Sequence, residues 1–196
     1  MYFNYWDLTL RSTFADIFYM AEIAVLGAGC FWCVEAVFTQ LKGVRAIRPG
    51  YCNGLVDDPT YEQVCTGKSG HAEVVEIEFE PLILAYNQLL EVFFHSHDPT
   101  TLNQQGNDMG TQYRSGIYFG DAQQEAVAIQ VLNATAQSNL WPAPIVTEIA
   151  SLATFYPAEE YHHDYYAHNP VQPYCSTVIG PKLVKLRKTH SHLLKV

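Results

Sequence analysis

From residue 22 onward the apolar residues switch repeatedly between the two-residue period of a strand and the 3.6-residue period of a helix. That alternation limits the chain to strands and helices in turn, and so to an α/β architecture. Glu22 to Leu26 is an apolar run closed by Gly27 and Gly29, a strand ending in a glycine turn. Val34, Val37, Phe38 and Leu41 follow at helical spacing, and Gly43 stops that helix. Val44 to Tyr51 reads as a second strand. Cys52 to Gly70, rich in Gly, Asp, Pro and Thr, reads as a long functional loop.

His71 to Glu80 carries the clearest strand pattern. One face holds Ala72, Val74, Glu76, Glu78 and Glu80, and three acids in a row predict solvent over part of it. The other face holds His71, Glu73, Val75, Ile77 and Phe79, so Glu73 is an acid on an apolar face. Ala85 to His95 reads as a helix, Thr100 to Gln112 as a polar loop and Arg114 to Phe119 as a strand. Ala122 to Asn139 reads as a long helix, Ile145 to Ile149 as a further strand, and Pro157 to His168 as holding a short helix. Residues 170–196 are expected to be irregular. The order β-α-β, then β-α-β-α-β, predicts a two-layer α/β domain around a mixed sheet. We expect an extension over residues 1–20, a catalytic domain over 21–180 and a basic tail over 181–196.

The chain of 196 residues has a formal charge of −9. The balance is uneven: five of the 11 basic residues follow Gly180, leaving 6 basic against 20 acidic groups before it. Such an acidic body argues against a nucleic-acid binder and against an anionic membrane surface as partner. No apolar run reaches the ~18 residues of a membrane span. Residues 1–19 lack the basic start, apolar stretch and small-residue cleavage site of a secretory signal. The five cysteines, Cys30, Cys33, Cys52, Cys65 and Cys175, are an odd count in a long chain. They read as reduced or redox-active thiols in a cytoplasmic protein, not as a secreted disulfide framework.

Two positions point to chemistry. Cys30 lies after a strand and a Gly27-Ala28-Gly29 turn and opens a helix. Free N–H groups and the macrodipole there favour a thiolate, the nucleophilic form; the plain alternative is a small buried residue at a tight turn. Cys33 completes a Cys30-Phe31-Trp32-Cys33 motif. It suits either dithiol–disulfide cycling, as in a thioredoxin-like exchanger, or half of a zinc site that needs two further ligands. His162 and His163 are the candidates for those ligands, yet nothing in the sequence demands a metal. On an apolar strand face Glu73 pays desolvation, which raises its pKa and suits it to general-acid work; the plain alternative is a strand-end glutamate that reaches solvent. Tyr51, Tyr61 and Tyr113 lie in or beside the loops, where a phenol donates to a developing oxyanion or simply packs half-buried. His95, His97, His162 and His163 read as surface or helix-cap residues without a role.

Several blocks occur in one order along the chain: Gly29-Cys30-Phe31-Trp32, Pro59-Thr60-Tyr61-Glu62-Gln63-Val64-Cys65, Gly70-His71-Ala72-Glu73 and His97-Asp98-Pro99-Thr100. Then come the run from Gln105 through Gly106-Asn107-Asp108 to Tyr113-Arg114-Ser115, Phe155-Tyr156-Pro157-Ala158-Glu159, Tyr161-His162 and Asn169-Pro170. From about Ile23 to Cys175 the chain thereby resembles the peptide methionine sulfoxide reductase A family. The resemblance implies a ferredoxin-like α/β core and reduction of the S epimer of methionine sulfoxide, free or in proteins. It implies Cys30 as nucleophile, Glu73 as the acid that protonates the sulfoxide oxygen, and Tyr61 and Tyr113 as donors to that oxygen. Phe31 and Trp32 would form the pocket for the S-methyl group, and Asp108 would reach the substrate backbone amide. No bound cofactor is implied; the reductant is thioredoxin, replaced by dithiothreitol in vitro, and the enzyme is expected as a monomer. Many members carry Gly where this chain has Cys33, and two cysteines in a glycine-rich tail where this chain has only Cys175. Both Cys175 and Cys33 are candidates to resolve the sulfenic acid left on Cys30, and Cys175 is preferred. Cys52 and Cys65 are taken as bystanders.

Overall fold

The computed structural model describes residues 21–195. The first strand, β1 (Glu22–Ala28), leads into helix α1 (Phe31–Phe38) and strand β2 (Val44–Cys52). A short helix, α2 (Tyr61–Cys65), precedes β3 (Ala72–Phe79) and α3 (Tyr86–Ser96). A small hairpin, β4 (Gln104–Gln105) and β5 (Asp108–Met109), comes before β6 (Ser115–Phe119) and the long α4 (Ala122–Gln137). Strands β7 (Glu148–Ser151) and β8 (Tyr156–Pro157), then helices α5 (Tyr165–His168) and α6 (Gly180–Thr189), complete the order.

The main sheet runs β7-β6-β1-β3-β2-β8. Its inner four strands, β6-β1-β3-β2, are antiparallel at every junction. Helix α1 carries the chain from β1 across to β2, leaving the slot between them for β3; this is the expected ferredoxin-like core. β7 joins β6 in parallel and makes the sheet mixed.

One face is covered by helices and holds most of the core, including Leu26, Val34, Val75, Ile77, Phe79, Leu89 and Phe93. The other carries a smaller cluster of Val25, Cys52, Ala72, Val74 and Tyr118. As the alternation in β3 predicts, Glu76, Glu78 and Glu80 lie toward solvent, paired with Arg45 and Arg48, while Glu73 lies with Val75 and Ile77 beneath the helices and is 1% exposed.

Two expectations change. The strand expected at Ile145 to Ile149 starts three residues later and ends two residues later, as β7. The Val146 N–H is taken by the Pro99 carbonyl at 2.8 Å and the Thr147 hydroxyl lies 2.8 Å from Ser115 Oγ, so pairing with β6 starts only at Glu148. The stretch after residue 170 is not irregular. Cys175–Ile179 forms a π-helical turn that runs into α6. Cys175, Ile179, Leu183 and Leu186 recur at helical spacing and join the main core, each burial contributing roughly 1.5–3 kcal/mol for the larger side chains. The final turn is tied back by the Lys195 N–H to the Gln40 carbonyl at 2.9 Å. The expected boundary at residue 181 thus crosses a continuous core. The expected extension over residues 1–20 lies outside the described residues. Among the described residues no helix is long and apolar enough to cross a membrane.

Candidate active site

β1 delivers Cys30 to the start of α1, where it is the N-cap residue. Gly29 sits at φ +85°, and a Cβ there would lie 2.6 Å from the side chain of Gln105. Only glycine allows that approach, which brings the β4–β5 hairpin and Asp108 against Cys30.

Glu73 reaches the same point from β3. Its Oε2 accepts the Phe31 N–H at 3.1 Å. Burial raises its carboxyl to about 8, offsetting the Phe31 N–H, with the charges of Asp108 and Cys33 adding to the rise. The carboxyl is therefore about nine-tenths protonated at neutral pH.

The thiols form a hydrogen-bonded pair whose protons belong to both. The bond from Cys30 draws Cys33 down to about 7, while burial pushes Cys30 up. This departs from the expectation that the helix N-terminus eases ionisation of Cys30. The Phe31 N–H is already spent on Glu73, and desolvation of Cys30 outweighs what remains of the helix field. Of the two, Cys33 is the thiol that ionises first.

Tyr61 stands in the first turn of α2. A capping box fixes it: the Thr60 hydroxyl accepts the Gln63 N–H, and Gln63 Oε1 accepts the Thr60 N–H at 3.0 Å. Glu159 accepts the Tyr61 N–H at 2.9 Å and the Tyr51 hydroxyl at 2.9 Å, so one carboxylate ties α2 to β2. Tyr113 is held through its neighbour Arg114, which donates to the carbonyls of Gly70, Thr111 and Asn53 and to Glu148. Burial raises both Tyr61 and Tyr113, so each phenol keeps its proton and remains a donor.

Phe31 and Trp32 complete one wall. Trp32 stacks on Tyr165 at 3.7 Å and 7° and donates from Nε1 to His162 Nδ1 at 3.1 Å. His162 packs at 4.9 Å from the Phe31 ring centroid and 4.5 Å from that of Tyr61. Cys30, Phe31, Trp32, Tyr61, Glu73, Asp108, Tyr113 and Tyr174 enclose a cavity of about 70 Å³. The structure thus brings together every residue assigned to the substrate side.

Of the two candidate resolving thiols it sets Cys33 against Cys30. Cys175 is buried in the π-helical turn, pushed up first by burial and then by the charge of Cys33. Cys52 belongs to the cluster on the opposite sheet face, and burial raises it to about 12. Cys65 is exposed, beside Tyr61. Among the described residues no cluster of three His, Cys, Asp or Glu side chains is arranged to hold a metal.

Sequence reasoning missed two participants, His162 and Tyr174. His162 is not a surface residue: it is 1% exposed and positions Trp32. His97 is the helix cap that the sequence reading allowed: it caps α3 through the Phe93 carbonyl at 2.8 Å, and burial lowers it to about 3. Tyr174 donates to Asp108 Oδ2 at 2.7 Å and lies 3.5 Å from Cys33 Sγ. No local pattern marks it, since its partners are 66 and 141 residues away.

A family model described as peptide methionine sulfoxide reductase matches residues 22–194. Peptide methionine sulfoxide reductase MsrA of Chromobacterium violaceum is 53% identical over 89% of this chain and 99% of its own length. The protein of the same name from Sulfolobus acidocaldarius is 49% identical over 85% of this chain and 94% of its own length. Among solved structures, methionine sulfoxide reductase A of Corynebacterium diphtheriae superposes with a TM-score of 0.73 at 35% identity, covering 77% of this chain and 76% of that one. Reduced Mxr1 from Saccharomyces cerevisiae gives 0.72 at 31% identity, covering 79% and 89%.

Proposed function

The chain belongs to the peptide methionine sulfoxide reductase family, whose members reduce methionine sulfoxide, and we propose that Cys30, Glu73 and Cys33 carry this reduction. The protein is an oxidoreductase. The observation that carries the assignment of residues is that the Cys30 thiol and a buried, protonated Glu73 face one small cavity with two phenol donors.

Cys30 attacks the sulfoxide sulfur while its proton passes to the Cys33 thiolate. Glu73 gives its proton to the sulfoxide oxygen, and Tyr61 and Tyr113 donate hydrogen bonds to that oxygen. An oxide is a poor leaving group from sulfur, so the protonation is what lets the sulfur–oxygen bond break. Methionine leaves, Cys30 becomes a sulfenic acid and Glu73 a carboxylate. Cys33 then attacks the Cys30 sulfur, water departs, and a Cys30–Cys33 disulfide forms. Cys33 suits the task because a thiol with pKa near ambient pH is the best attacking group. It also closes without moving the packed helix that carries Cys175.

Phe31 and Trp32 take the S-methyl group, and because they share one small cavity with the Glu73 proton the pocket selects the S epimer. Asp108 takes the substrate backbone amide. A thioredoxin reduces the disulfide, and five free thiols fit a monomer working in the reducing cytoplasm. A bare disulfide exchanger would leave Glu73, Tyr61 and Tyr113 idle. Single turnover on a methyl sulfoxide peptide tests the reading. Cys30→Ser should reduce none; stoichiometric reduction by that variant would refute it.

A further inference from the structure

Cys30 faces two cavities. The one described above, about 70 Å³, contains Glu73, Tyr61 and Tyr113. The second, about 570 Å³, contains Cys33, Gln105, Asn107, Thr177 and Lys182. Cys30, Asp108 and Tyr174 border both. Tyr174 is the wall between them. Its hydroxyl is tied to Asp108 at 2.7 Å and touches Cys33 Sγ at 3.5 Å, and its ring meets Trp32 edge-on at 6.1 Å. The acid and phenol donors border only the smaller side, and Cys33 borders only the larger.

We propose that the larger cavity is the docking site for the protein dithiol that recycles the enzyme, separate from the pocket that takes the sulfoxide. This rests on the assignment of Cys30 and Cys33 given above. The cavity is within the ~300–1,000 Å³ of ordinary ligand sites and admits a side-chain-bearing loop. The smaller pocket has room for little more than a methylsulfinyl group. Once Cys30 and Cys33 are joined, a thiolate of the partner attacks Cys33 Sγ from the larger side. The Cys30–Cys33 bond breaks, and the Cys30 sulfur leaves with the bonding pair and takes a proton. The partner's second thiol then displaces Cys33, giving back the enzyme dithiol and leaving the partner as a disulfide. Lys182 is the single cation among the described residues around this cavity. Its charge attracts the incoming thiolate and steadies the thiolate of Cys33. Tyr174 keeps this traffic away from the sulfoxide pocket.

Thr177 is exposed at the larger cavity and far in role from the acid and phenols, so Thr177→Trp fills that cavity alone. With no external reductant, the variant should reduce one sulfoxide per enzyme at a rate within about twofold of the parent. With thioredoxin as probe, its steady-state rate should fall at least about tenfold, and with dithiothreitol far less. Lys182→Glu should likewise lose kcat/KM for thioredoxin, with Lys182→Arg restoring it. An unchanged steady-state rate with thioredoxin in both Thr177→Trp and Lys182→Glu overturns the proposal, and so does an equal loss in the first turnover of Thr177→Trp. Failure of the underlying assignment looks different: the parent enzyme itself would give no first-turnover disulfide between Cys30 and Cys33.

Discussion

Replacing Glu73 by Gln should make the protein more stable and less active at once. The carboxyl sits 1% exposed, and burial raises it to about 8, against ~4.3 in an unfolded chain. The sign follows from linkage: a group whose folded pKa is raised favours folding fully only below its unfolded pKa. That stability is lost as pH climbs from about 4.3 to about 8, at about 1.4 kcal/mol for each pH unit. By pH 7 the loss is about 3–4 kcal/mol. Gln keeps an acceptor for the Phe31 N–H and carries no charge to desolvate. Its buried amide N–H₂ needs a new acceptor, and leaving it unpaired costs ~1–2 kcal/mol. The net gain at pH 7 is about 2 kcal/mol, or roughly 4–8 °C in Tm for a chain of this size. The gain should shrink to nothing, or reverse, by pH 4, where the native carboxyl is protonated in both states. Thermal melts of both proteins from pH 4 to pH 8 give the difference directly. The same variant should slow the single-turnover reduction by about 10²–10⁴. Parallel melting curves across that pH range would refute the buried, protonated carboxyl. A near-parent turnover rate at pH 7 would refute its role as the acid. In the parent, reduction should fade as pH rises through about 8 and Glu73 ionises.

Cys175→Ser should leave the rate of Cys30–Cys33 disulfide formation unchanged, as read by peptide mapping after one turnover; a Cys30–Cys175 bridge formed first in the parent would reverse the order of thiols proposed here. Tyr61→Phe and Tyr113→Phe should each lower the reduction step by about tenfold or more, and together by about 10²–10³, with the Cys30–Cys33 resolution rate unmoved. A double variant within twofold of the parent would show that the phenols only pack.

The alternation of periods already carries the α/β class and, in β1, α1, β2, β3, α3, β6 and α4, most of the elements that build the sheet. The same local logic exposes Glu73, because a carboxyl on the apolar side of a strand has nowhere to go but inward. It also exposes Cys30, because a cysteine between a glycine turn and a helix is visible without knowing what surrounds it. The capping box at Thr60 and Gln63 is legible in retrospect and would have turned part of the long loop into α2. The last segment was hard to read because Cys175, Ile179, Leu183 and Leu186 are spaced as one helical stripe among lysines and prolines, and their burial depends on a core built by residues far earlier in the chain.

What the sequence determines by itself is therefore local: the order of elements, the acid on the wrong face and the paired cysteines one helical turn apart. Which charge the pair carries, and where, was decided by the tertiary structure. The Phe31 N–H that would serve a Cys30 thiolate is taken by Glu73, 42 residues away, so burial raises Cys30 and Cys33 becomes the thiol that ionises first. The separation of the site into two sides is likewise tertiary, because Tyr174 becomes a wall only when the last helix folds it between Asp108 and Cys33. Desolvation and long-range hydrogen bonds depend on everything that packs around a group, and no window of sequence contains that.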